Sequence, residues 1–141
     1  MSTAEELIPR LDRAFDALER GDLEAFVAEV QPRTHPDCVF HSGIGSVVGG
    51  EVYQGVEGIR DWFDDLLAST SERRWENRRY EPYGDDVLVF LADFSLTGVA
   101  SGAPVAGETG AVYSFADGLC VRIVSFTSHA EARAEAEALV A

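Results

Sequence analysis

The chain has 141 residues, 46% of them hydrophobic and 26% charged, the composition of a single globular domain rather than of a disordered segment. Its 25 acids outnumber its 11 bases, all of them arginine, for a net charge of −14. Nucleic acid and anionic membrane surfaces both require positive charge on the protein, so neither is an expected partner.

Thr3–Glu6 reads as a capping box opening a helix, in which Leu7, Leu11, Ala14, Phe15 and Leu18 recur at helical spacing. Pro9 suits a first turn and offers a second starting point for the regular helix. This acidic, amphipathic N-terminus lacks the basic-then-apolar pattern of a signal peptide. No apolar run approaches the roughly 20 residues of a membrane span, so the cytoplasm is the expected compartment. Gly21 ends the helix, and Asp22 caps a second with Leu23, Phe26, Val27 and Val30 on its inner face. Pro32 stops it. His35–Asp37 reads as a turn and Cys38–His41 as a short strand. Residues 42–50, with four glycines in nine, read as a loop, and 51–54 as another short strand. Gly55 leads into a third helix with Ile59, Trp62, Phe63, Leu66 and Leu67 as its apolar stripe.

The second half alternates as sheet. Residues 72–83 read as a long polar strand carrying Arg73, Arg74, Arg78 and Arg79, a solvated face paired with nearby Glu. In 87–97 the even positions Leu88, Phe90, Ala92, Phe94 and Leu96 are all apolar, which marks one face of a strand against a core or cavity. Asp117-Gly118 joins strands 108–116 and 119–127 as a hairpin. Ser128–Glu131 is a second capping box before an Ala-rich helix. The order predicts an α+β fold with helices gathered on one side of a curved antiparallel sheet. Cys38 and Cys120 sit in apolar runs and read as buried free thiols. No CxxC, HExxH or GxxxxGK[ST] spacing occurs, so neither metal nor cofactor is expected.

Four stretches carry a resemblance: Ala17–Phe26 (ALERGDLEAF), His35–Phe40 (HPDCVF), Val52–Phe63 (VYQGVEGIRDWF) and Tyr113–Phe126. With the element order, they resemble the SnoaL-like branch of the NTF2-like (cystatin-like cone) superfamily over about residues 5–139. The resemblance implies a strongly curved antiparallel sheet wrapped around three helices, with a short C-terminal helix added. It also implies an apolar pocket in the cone. On this sequence the wall would be Phe15, Trp62, Phe63, Phe90, Phe94, Phe115 and Ser125, with Ala92, Ala111 and Ile123.

The family hosts isomerases, cyclases, dehydratases and binding proteins, so chemistry has to be read at the site. Ketosteroid isomerases resemble this chain in register, but their base, tyrosine and acid positions fall on His41, Ala14 and Ala111. The acid/base aspartate of polyketide cyclases also falls near Ala111. The Asp–Arg–Asp set of epoxide hydrolases falls on Ala92, Phe94 and Ser125. Dehydratase relatives use histidines and tyrosines, which this chain partly matches. The candidate catalytic set is therefore His41 as base, with Tyr53 and Tyr113 as hydrogen-bond donors to a ligand carbonyl or oxyanion. Asp93 falls on the opposite strand face, Glu51 and Glu108 read as solvated, His35 as exposed, and His129 as a first-turn residue near the pocket mouth. Three readings follow: proton-transfer chemistry on an apolar cyclic substrate, binding of a small hydrophobic molecule without turnover, or a dimeric scaffold that works through its surface. Relatives pair through the outer sheet face, so Val87, Val89, Leu91, Val124 and Phe126 are expected to form a homodimer surface.

Overall fold

The computed structural model describes residues 2–42 and 52–141, so the glycine-rich loop from Gly43 onward and Glu51 lie outside the described residues. Helix α1 (Thr3–Arg20) is capped by Ser2, one residue earlier than expected. Ser2 Oγ accepts from the Glu5 amide at 3.2 Å, and Glu5 Oε1 accepts from the Ser2 amide at 3.4 Å. Pro9 lies inside this helix on its exposed side, where a lost backbone donor does not break the rod. Helix α2 (Leu23–Val30) is capped as predicted, Asp22 Oδ1 accepting from the Ala25 amide at 3.1 Å. A short 3-10 turn (Gln31–Arg33) then delivers the chain to β1 (Thr34–His41). The expected turn at His35–Asp37 is instead part of this strand, and a register irregularity between Thr34 and Val39 accommodates Pro36 there.

The remaining elements follow in order: β2 (Val52–Gln54), α3 (Gly55–Ser69), β3 (Thr70–Pro82), β4 (Val87–Gly98), β5 (Pro104–Ala116), β6 (Leu119–Phe126) and α4 (His129–Val140). The strands form one curved, unclosed sheet in the order β2-β1-β6-β5-β4-β3. The sheet is mixed rather than purely antiparallel, because β1 and β6 run parallel. β6 is the last strand of a four-strand meander, and its direction brings it up beside β1 in the same sense. Asp117 and Gly118 both take positive φ, 52° and 81°, the backbone of a type I′ turn between β5 and β6.

Helices α1, α2 and α3 pack into the concave face. Their buried residues join Leu88, Phe90, Ala92, Phe94 and Leu96 of β4 in one core. Burying each such leucine or phenylalanine is worth about 1.5–3 kcal/mol. The other face of β4 is buried too. Val87, Val89 and Leu91 pack with Val112 under Ala132 and Ala136 of α4. Gly110 of β5 permits this contact, since a Cβ there would stand 2.7 Å from the Ala132 Cβ. The apolar outer stripe expected as a dimer surface is thus largely covered by the chain's own C-terminal helix, with Val124 and Phe126 half-buried beside it. Alanines are too small to announce themselves as a cover in sequence. α4 is further pinned by His129, whose Nε2–H donates to the Ala92 carbonyl at 2.8 Å. The His129 amide donates to Glu108 Oε1 at 2.8 Å, while the Glu108 side chain stays exposed to solvent as expected. His129 is accordingly outside the pocket. None of the described helices is long and apolar enough to cross a membrane.

Candidate functional site

The concave face encloses a cavity of about 90 Å³. Its wall combines Leu7, Leu11 and Phe15 of α1, Phe26 of α2, Trp62 of α3, and strand residues that include Phe40, Phe90, Ala111, Tyr113 and Ser125. Most of this surface is apolar because the inward-facing positions of curved strands meet the apolar stripes of three helices. Phe15 and Phe90 stack across it, with ring centroids 4.2 Å apart and planes 13° from parallel. Phe15 is held from outside by Arg78, whose Cζ lies 5.7 Å from the ring centre. Arg78 is itself tied to Asp16 at 2.8 Å, Glu19 at 3.1 Å and Asp12 at 3.2 Å. It is therefore a largely buried structural cation, not part of a solvated basic face.

Of the residues expected at the site, the structure places Phe15, Trp62, Phe90, Tyr113 and Ser125 on the wall, with Ala111 and Ile123. Phe63, Phe94 and Phe115 are buried in the core around it and do not line it. His41 lies elsewhere. In β1 the inward side chains are Cys38, Phe40 and, just beyond the strand, Ser42, so His41 between them is exposed. A shift of one residue along a strand reverses the face, and the alignment placing His41 inside carries that shift. Tyr53 is buried, but its hydroxyl donates to Asp65 Oδ2 at 3.1 Å, away from the cavity. Burial, and then the Asp65 carboxylate, push its phenol up to about 12.

Tyr113 is on the wall and its phenol is pushed well above the usual range, mainly by burial. Its hydroxyl makes no hydrogen bond to another described residue. Cys120 lines the cavity beside Cys38. Both thiols are free and buried, and the hydrogen bond with Cys38, then burial, push the Cys120 thiol up. Arg33, which sequence reasoning did not single out, also reaches the wall. Its guanidinium donates to Glu6 Oε2 at 3.0 Å and to the Gly118 carbonyl at 3.4 Å. Two wall residues each carry a buried polar atom with no hydrogen-bond partner: Trp62 Nε1 and Ser42 Oγ. Ser42 too was missed, although the alternation that carries Phe40 inward also carries Ser42.

Among the described residues the wall holds no carboxylate and no imidazole. Nor do they contain a cluster of three potential metal-ligating side chains. The arrangement offers an apolar enclosure, neutral hydroxyl and indole donors, and one ion-paired guanidinium.

The family model for a SnoaL-like domain matches residues 11–123. No curated protein sequence matches the chain. Among solved structures, an NTF2-like protein of unknown function from Burkholderia pseudomallei superimposes with a TM-score of 0.69 at 20% identity, covering 93% of this chain and 95% of that one. TerC, co-crystallised with polyporic acid, gives 0.67 at 17% identity, over 93% and 98%. The Delta 5-3-ketosteroid isomerase of Mycobacterium sp. gives 0.66 at 16% identity, over 94% and 97%. At these identities the likeness concerns the fold.

Proposed function

The chain belongs to the SnoaL-like domain family, and from that premise we propose that it binds a small, mostly apolar molecule inside the cone. The observation that carries this reading is the cavity itself, enclosed by aromatic and aliphatic side chains from three helices and the sheet. Apolar enclosures of this kind take up apolar guests because the guest leaves water at no polar cost. The similar structure TerC was co-crystallised with a small molecule, polyporic acid, which supports the reading.

The catalytic form of the reading, with His41 as base and Tyr53 or Tyr113 as donor, has only Tyr113 on the wall. A base must come within hydrogen-bond reach of the proton it removes. Binding is therefore the function we propose, with proton-transfer chemistry as the alternative that His41 would have to serve from outside the wall. Benzene is the direct probe. Titrated into labelled protein, it shifts the methyl resonance of Ala111 and the ring resonances of Phe90, and Ala111→Phe, which fills the space, abolishes those shifts. His41→Ala leaves them unchanged. Benzene shifts that persist in Ala111→Phe, or that never arise in the parent protein, would overturn the reading.

A further inference from the structure

The sheet register gathers three of the cavity's hydroxyl side chains, Ser42, Ser125 and Thr109, at one end. Ser42 follows His41, which pairs with Val124 of β6. Ser125, the next residue of β6, pairs with Ala111 of β5, and Thr109 lies two residues from Ala111 on the same face. Trp62 reaches this end from α3. Its ring meets Phe40 edge to face with centroids 5.3 Å apart, and Phe40 is two residues from Ser42 on the same face of β1. The two residues that carry the orphaned atoms, Trp62 and Ser42, therefore lie in one region of the wall.

An indole N–H can only donate a hydrogen bond. Buried without a partner it carries a free-energy cost that an incoming acceptor removes. The Ser42 hydroxyl, on the same wall, donates equally well. The guest's matching group is thus an acceptor. It need not be charged, because the one cation on the described wall, Arg33, already bonds Glu6 and the Gly118 carbonyl. The cavity's size sets the rest. An apolar cavity of about 150 Å³ holds benzene, so at about 90 Å³ the cavity takes even a one-ring guest only as its side chains move, and no second ring.

We propose that Trp62 and Ser42 form an anchoring subsite. The ligand class is a neutral, one-ring apolar molecule bearing a carbonyl oxygen that accepts from Trp62 Nε1–H and Ser42 Oγ–H. This rests on the binding reading above and adds to it the polar specificity of the guest.

The test compares acetophenone with isopropylbenzene, which has the same number of heavy atoms but no acceptor. Binding is followed by NMR on the Trp62 indole N–H, assigned with Trp62→Phe, and on the Ala111 methyl. Acetophenone binds about tenfold more tightly than isopropylbenzene, the gain of one hydrogen bond at a buried donor. It alone moves the Trp62 indole proton downfield. Trp62→Phe and Ser42→Ala each reduce the preference, and Ser42→Ala keeps the test valid if the tryptophan variant fails to fold. Equal binding of the two compounds, or a preference untouched by both substitutions, overturns the subsite and leaves the pocket standing. If neither compound moves the Ala111 methyl, the pocket reading falls and the subsite falls with it.

Discussion

A hydroxyl already held by a carboxylate has little to offer a ligand, and Tyr53 is in that position against Asp65. Tyr53→Phe should lower stability by about 1 kcal/mol in urea unfolding, the worth of one hydrogen bond, and leave benzene binding unchanged. The same residue shapes the alkaline limit. Its folded phenol loses its proton at about 12, above the ordinary value near 10. Burial raises the phenols of Tyr80, Tyr83 and Tyr113 as well. Stability from these groups is complete below pH about 10 and drains away as the pH rises through the folded values. Phenolate absorbance should therefore appear together with loss of near-ultraviolet circular dichroism. Phenolate forming at pH 10 in a still-folded protein would contradict this. The site was legible in sequence residue by residue only where a side chain's face was fixed by long alternation. Phe90 was placed correctly by five apolar even positions in a row. His41 sat at the end of a short run where Val39 and Phe40 are both apolar, so its face could not be read from pattern.

Among the elements, β4 shows what alternation can determine and β3 what it cannot. Trp75 and Tyr80 both join the inner core, although one is odd and the other even. Asn77, in the left-handed region at φ 55°, makes the bulge that resets the phase between Glu76 and Arg79. The bulge aims Arg78 at α1, where it meets Asp12, Asp16 and Glu19 beneath Phe15. Nothing in a polar run with four arginines marks which one turns inward. Arg78→Ala should cost about 1–2 kcal/mol, since it leaves three partly solvated carboxylates facing one another. It should also loosen the Phe15–Phe90 stack, read as faster ring exchange by NMR. A loss of stability that does not shrink in high salt would show that packing, not charge, carries the contact.

For the whole molecule, the helices, the long strands and the β5–β6 hairpin were readable because each carries its own periodicity or turn chemistry. The assignment of faces between elements was not. Val87, Val89 and Leu91 look in sequence like a surface awaiting a second copy, and α4 of the same chain occupies it. A chain ending at Phe126 should expose that surface. Light scattering is expected to show the truncated protein as dimers or larger species at concentrations where the full chain keeps a lower mass. Equal masses would mean that α4 does not shield the sheet.

The parallel β1–β6 pair has a kinetic consequence. Phe40 lies against Ile123, about 80 residues later in the chain, whereas β3, β4 and β5 each pair with the strand that follows. Closing so long a loop costs more entropy than zipping a hairpin and is rewarded only at the end. The meander can therefore assemble early, while the seam that joins it to the first third of the chain closes late. Phe40, Cys120 and Ile123 all stand at that seam and on the cavity wall. A chain emerging from the ribosome would hold helices and hairpins well before it held an enclosure.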